Sequence, residues 1–200
     1  MDLHDLRSLP LRLAGWEFET PLPAEKKYVC LAVPHTSNWD GVLLLALARS
    51  VGMKMSFMIK REWLRGPMGV VLRRLGAVGI ERSRATHVVQ AMIDELARRD
   101  ELALVIPPEG TRSRAEYWKS GFYHIARGAD VPVVPGYLDY GRKRAGLGPP
   151  IRLTGVVRAD MDRIRAFYRE QAPVGFRPDA FGPIRLREED EPVTPAGPDA

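Results

Sequence analysis

The sequence predicts an α/β fold, a layered arrangement with a mostly parallel or mixed central sheet flanked by helices. Two observations carry this. Short apolar runs of strand length recur along the chain, and the segments between them have the length and apolar spacing of helices. Residues 28–33 read as a buried strand that runs into Pro34 and His35, and residues 40–51 as a buried helix rich in leucine and alanine. A short strand follows at 55–59. Residues 61–75 form a basic amphipathic helix interrupted near Gly66-Pro67, and 77–80 another strand. Residues 86–99 make a more regular helix with Val88, Met92 and Leu96 on its apolar side. The strand at 102–106 ends at Pro107-Pro108, where the chain must leave helical geometry. A helix over 118–126, strands over 131–134 and 151–157, and a final helix from Met161 to about Gln171 with Asp160 as its cap complete the set. Residues 1–186 make one domain, and 187–200 form an acidic, proline-rich tail predicted to be disordered.

Composition narrows the function classes. The longest apolar stretches fall far short of the roughly 20 residues a spanning helix needs, and the first 13 residues lack the apolar centre of a secretory signal. A cytoplasmic location is expected. Cys30 is the only cysteine, so no internal disulfide is possible, and its apolar neighbours mark a buried strand position. His4, His35, His87 and His124 show no ligand spacing, so no metal is implied. The formal net charge is +5, yet residues 187–200 hold one base and five acids, which leaves +9 on residues 1–186. Such a surface suits nucleic acid, anionic headgroups or phosphate-bearing substrates. Dispersed bases without a stacking motif or a basic recognition helix argue against nucleic acid.

The segment 34–41 places His35 on a loop and Asp40 five positions later, in the first turn of the next helix. A carboxylate on one imidazole nitrogen fixes the tautomer and leaves the other nitrogen to take a proton from a bound hydroxyl. The same residues also read as a capping box, with Ser37 capping the helix and Asp40 answering it. Both readings stand on this segment alone. A serine nucleophile has less support, because there is no G-x-S-x-G elbow and Ser37 lies too close to His35.

A second constellation, Pro108-Glu109-Gly110-Thr111-Arg112, follows the strand at 102–106 directly. Glycine lets a ligand approach the backbone, Arg112 offers a planar fork for phosphate oxygens, and Glu109 can orient an arginine or a substrate hydroxyl. An ordinary polar turn is the plain alternative, favoured for Arg114. A third cluster, residues 76–82, delivers Arg82 at a strand end, with Lys60 near the end of the preceding strand.

In this order the segments resemble the glycerolipid acyltransferase family that includes 1-acyl-sn-glycerol-3-phosphate acyltransferases. Four blocks match: H-x4-D at His35 and Asp40, G-x-x-x-I-x-R at Gly76, Ile80 and Arg82, P-E-G-T-R at 108–112, and V-P-V-V-P at 131–135. The resemblance covers about residues 28–140. It implies that His35 is the general base and Asp40 its orienting acid. It further implies that Arg82, Glu109, Gly110, Thr111 and Arg112 hold a phosphorylated acceptor, with Lys60 as a further contact, while 131–135 shapes the sheet. The implied reaction moves a fatty acyl group from acyl-CoA or acyl carrier protein to a lysophospholipid hydroxyl, with no other cofactor. Another lysophospholipid or a lyso-aminolipid as acceptor, or a catalytically silent lipid- or acyl-carrier-binding protein, are the competing readings.

Pro107 stands where the family usually has an aromatic or aliphatic residue, and Gly136 where an aliphatic residue is common. Many relatives carry a hydrophobic N-terminal segment that is missing here. Peripheral attachment to the inner membrane face is therefore expected, through an anionic surface. Residues 61–75 are a candidate, interleaving Trp63, Met68, Val70 and Val71 with Arg61, Arg65, Arg73 and Arg74; a core helix with a solvated arginine face is the alternative.

Overall fold

The computed structural model describes residues 11–19, 21–81 and 85–190. Its strands are β1 (Glu17–Phe18), β2 (Lys27–Val33), β3 (Met55–Lys60), β4 (Ala77–Ile80), β5 (Leu102–Ile106), β6 (Val133–Asp139) and β7 (Arg144–Leu147). The helices are α1 (Asn38–Ser50), α2 (Gly66–Arg74), α3 (Ala85–Arg98), α4 (Gly121–Gly128) and α5 (Val157–Gln171). The sheet order is β1-β7-β6-β2-β5-β3-β4. Strands β6, β2, β5, β3 and β4 run parallel, β7 is antiparallel to β6, and β1 is parallel to β7. The predicted α/β class with a mixed sheet is the observed one.

Alternation along the central strands divides the core between two faces. Val29, Leu31 and Val33 of β2 and Leu102, Leu104 and Ile106 of β5 pack with Met92 and Leu96 of α3, Phe122 and Ile125 of α4, and Met161, Ile164 and Tyr168 of α5. Tyr28 and Cys30 of β2 and Ala103 and Val105 of β5 face the other way, with Ala48, Leu44 and Leu45 of α1. Continuous apolar runs are what a sheet covered on both sides requires. Cys30 is fully buried and burial pushes its thiol up to about 12, so it stays a protonated core residue.

Three expectations change. The strand foreseen over 151–157 reduces to one bridge between Ile151 and Val133, and α5 begins at Val157. Asp160 is the cause: from inside the helix its carboxylate accepts the N–H groups of Thr154 and Gly155, each at 3.0 Å, and the hydroxyl of Tyr123 at 2.7 Å. Those bonds fold residues 154–156 into a turn, so Asp160 organises the approach to a helix that starts earlier than predicted. Residues 187–190, assigned to the tail, are held in place. Glu189 pairs with Arg165 at 2.7 Å and Asp190 accepts the Tyr117 hydroxyl at 2.6 Å, while residues 191–200 lie outside the described residues. Finally, α2 buries only Gly69. Trp63, Met68 and Val71 are 62%, 62% and 51% exposed, so the core-helix reading of residues 61–75 does not hold.

Gly136 has a steric reason. A Cβ there would stand 2.7 Å from the Leu31 carbonyl oxygen and 3.2 Å from both Cys30 Sγ and a Leu147 methyl, so β6 approaches β2 too closely for an aliphatic side chain.

Candidate active site

Because five strands are parallel, the segments that leave their carboxyl ends gather along one edge of the sheet, where α/β folds build their sites. His35 follows β2, with Tyr140 after the neighbouring β6 on one side and Glu109 after the neighbouring β5 on the other. Lys60 ends β3, opposite Ile80 at the end of β4.

The chain leaves β2 through a cis Val33-Pro34 bond and turns into α1. Ser37 is the N-cap, extended at φ −147° and ψ 160°, and its hydroxyl oxygen accepts the Trp39 N–H at 3.2 Å. Asp40 closes the capping box: its Oδ2 accepts the N–H of Ser37 at 2.7 Å and of Thr36 at 2.6 Å. The same Oδ2 lies 3.4 Å from His35 Nδ1. One carboxylate thus closes the helix cap and also faces the imidazole, a geometry that suits both readings left open by the sequence. Its other oxygen accepts the Tyr140 hydroxyl at 2.8 Å. Burial pushes this carboxyl up, but the donors from His35, Ser37, Tyr140 and Thr36 outweigh it and hold Asp40 below the usual carboxylate range. Asp40 is thus a fixed negative charge beside an imidazole whose other nitrogen, Nε2, is not committed to it.

The loop after β5 bends at Gly110, whose φ of +67° favours glycine. It carries Glu109 inward, where the residue is only 4% exposed and both carboxylate oxygens accept the His35 backbone N–H, at 2.9 and 3.2 Å. Burial, with a smaller push from the charge of Asp40, raises Glu109 to about 7 despite the opposing effect of His35. Its observed partner is the loop of the histidine, where the sequence suggested an arginine or a substrate hydroxyl. Glu109 is therefore bonded to the backbone of His35 itself.

Thr111 and Arg112 are exposed at the same edge, and Thr111 Oγ1 accepts the Ser113 N–H at 3.2 Å. Lys60 is exposed too, two strands from β2 and so about 10 Å along the sheet. Arg82 lies outside the described residues. Two groups escaped sequence reasoning. Tyr140 follows β6 by one residue, but the strand predicted over 131–134 ended six residues short of it, so no local pattern hinted at its place. Arg177 donates from Nε to the Thr36 carbonyl at 2.8 Å and from Nη2 to the Arg112 carbonyl at 2.7 Å, with no local signal in the sequence. Among the described residues no group of three histidine, cysteine, aspartate or glutamate side chains is placed to hold a metal ion.

A histidine backed by a buried carboxylate at the carboxyl edge of a parallel sheet is equipped to remove a proton from a bound hydroxyl. The chain belongs to the acyltransferase family, whose model matches residues 16–139. It is 29% identical over 136 residues to the 1-acyl-sn-glycerol-3-phosphate acyltransferase of Haemophilus influenzae, covering 62% of this chain and 54% of that protein. It is 30% identical over 127 residues to human 1-acyl-sn-glycerol-3-phosphate acyltransferase beta, covering 60% of this chain and 45% of that one. The chain thus spans about half the length of the curated relatives it matches. Among solved structures, the 1-acyl-sn-glycerophosphate acyltransferase PlsC of Thermotoga maritima superposes with a TM-score of 0.58 at 17% identity, over 84% of this chain and 78% of that one, which establishes a shared fold.

The raised carboxyl of Glu109 has a measurable consequence. Its folded-state value of about 7 lies above the ordinary 4.5, so the folded protein retains a proton that the unfolded chain loses across that interval. Stability should fall as pH rises between the two values, by an amount on the order of 3 kcal/mol, and Glu109→Gln should abolish that part of the slope. Urea midpoints of the two proteins across this range provide the check; parallel curves would mean that Glu109 does not titrate there.

Proposed function

We propose that this protein transfers a fatty acyl group from an acyl thioester to the hydroxyl of a lysophospholipid, with 1-acylglycerol-3-phosphate as the acceptor. The observation that carries the reading is the His35–Asp40 pair, with Nδ1 turned to a buried carboxylate at 3.4 Å, in a chain of the acyltransferase family. His35 Nε2 takes the hydroxyl proton as the acceptor oxygen attacks the thioester carbonyl. Collapse of the tetrahedral adduct breaks the C–S bond, and the imidazolium returns its proton to the departing sulfur. Asp40 stabilises the imidazolium between these steps. The acceptor is itself the nucleophile, so no enzyme serine is acylated. Acyl-CoA and acyl carrier protein present the same thioester and are both accommodated by this chemistry.

Lys60 and Arg112 are the exposed bases at this edge that suit the acceptor phosphate, together with Arg82 on the strength of its motif. The names of the Haemophilus and human relatives supply the choice of a glycerol phosphate acceptor. Among the described residues no helix is long and apolar enough to cross a membrane. Residues 61–75 instead offer the exposed Trp63, Met68, Val70 and Val71 beside Arg65 and Arg74, a composition fitted to an anionic lipid interface. We place the protein peripherally on the inner face of the membrane.

Thioester release measured with and without 1-acylglycerol-3-phosphate tests the reaction. His35→Ala should keep the circular dichroism spectrum and lose ~10²- to 10⁴-fold of acceptor-dependent rate. Near-normal turnover by a folded His35→Ala protein would sink the mechanism.

Vesicle co-sedimentation tests the surface. Binding should be stronger on anionic than on neutral vesicles, and should weaken as salt shortens the screening length to ~3 Å near 1 M. Trp63→Ala combined with Met68→Ala should reduce it further. Binding indifferent to salt, lipid charge and these substitutions would move the interface elsewhere.

A further inference from the structure

Two of the groups that hold the site come from beyond the family match, which ends at residue 139. The first is Tyr140. Its hydroxyl reaches Asp40 Oδ1 at 2.8 Å, while Oδ2 serves the N–H groups of Thr36 and Ser37 and faces His35. The terminal torsion of an aspartate is broad, so a carboxylate bonded through one oxygen is free to swing. A donor on each oxygen removes that freedom. Tyr140 is itself fixed, with edge contacts to Trp16 at 5.2 Å and to Phe176 at 5.3 Å, and its backbone N–H bonds the Val174 carbonyl at 2.8 Å. Burial, followed by the hydrogen bond to Asp40, raises its phenol well above the ordinary value, so it remains a donor throughout the neutral range.

The second is the segment 173–177, which crosses the loop of His35 after α5. Gly175 lies flat against that loop: a Cβ would come within 2.9 Å of the Thr36 side chain and 3.2 Å of Pro34 Cγ. Arg177 follows, with its backbone N–H on Thr36 Oγ1 at 3.2 Å, Nε on the Thr36 carbonyl at 2.8 Å and Nη2 on the Arg112 carbonyl at 2.7 Å. One guanidinium thereby ties the loop that carries His35 to the loop that carries Arg112. A lysine, with one ammonium in place of a fork, does not match both carbonyls at once.

We propose that Tyr140 and Arg177 are positioning residues for the transfer. Tyr140 locks the Asp40 carboxylate in the orientation that serves His35, and Arg177 sets the spacing between the general base and the acceptor's phosphate contact. The proposal rests on the acyl-transfer reading above, and it assigns the two residues different kinetic signatures. Tyr140 acts on the proton transfer, Arg177 on where the acceptor sits.

The experiment combines kinetics with nitrogen-15 spectra of the imidazoles, His35 being assigned by its disappearance in His35→Ala. Tyr140→Phe keeps the ring and its packing and removes only the hydroxyl. It should lower kcat about 10-fold with the acceptor KM unchanged, and move the His35 Nδ1 resonance while those of His87 and His124 stay in place. Arg177→Ala should raise the acceptor KM about 10-fold and also perturb His35, through Thr36; Arg177→Lys should recover only part of the loss. His35 resonances unchanged in both folded variants, with kcat and KM within about two-fold of the parent, would overturn the proposal. A parent protein inactive towards every lyso-acceptor would defeat the proposed reaction, and the His35 resonances would still decide whether Tyr140 and Arg177 position the ring.

Discussion

A carboxylate buried at the start of a helix must have its charge matched by donors, and Asp40 collects them from three directions. Backbone N–H groups of Thr36 and Ser37 come from the turn, the Tyr140 hydroxyl from the neighbouring strand end, and His35 Nδ1 from the loop it faces. Losing any one of them leaves charge in a site with little water, which costs more than the bond is worth at a surface. The shape of the loop, the start of α1 and the setting of the imidazole are consequently one arrangement. A substitution that spared the cap while removing the charge would leave the helix standing and the histidine unsupported.

The second carboxylate at the site is treated in the opposite way. Glu109 sits on the other side of His35, is buried with one backbone N–H for both its oxygens, and is pushed up to about 7, whereas Asp40 is held down. The difference lies in the number of donors. Environment thus separates two acids beside one histidine: Asp40 is held in its charged form, whereas Glu109 takes up a proton near neutral pH while it bonds the loop. Two full negative charges around one imidazole would instead repel each other at short range.

Much of this was legible from residues alone. The strands at 28–33, 77–80 and 102–106 have apolar runs that a sheet covered on both faces demands, and the helix after His35 announces itself through Ser37 and Asp40. Given parallel strands, the segments that follow β2 and β5, with His35 and Glu109, had to arrive at one edge. What stayed hidden depends on contacts far apart in the chain. Tyr140 meets Asp40 across 100 positions and Arg177 meets Thr36 across 141, and no local period encodes either meeting. The lost strand at 151–157 failed for a related reason, since a side chain six residues ahead of Thr154 claims its backbone N–H. The burial of Glu109 was equally invisible, because a charged residue in a proline- and glycine-marked turn reads as solvated until its partner is known.

In the proposed reaction His35 and Asp40 act as one unit on a bound hydroxyl. Residues that share a single task lose it together, so their substitutions do not multiply. Acceptor-dependent kcat/KM for His35→Ala, for Asp40→Asn and for the two combined measures this directly, on proteins whose folding has been verified. The double variant should be no slower than His35→Ala alone. Losses that multiply would show that Asp40 contributes independently of His35 and that the two are not one unit.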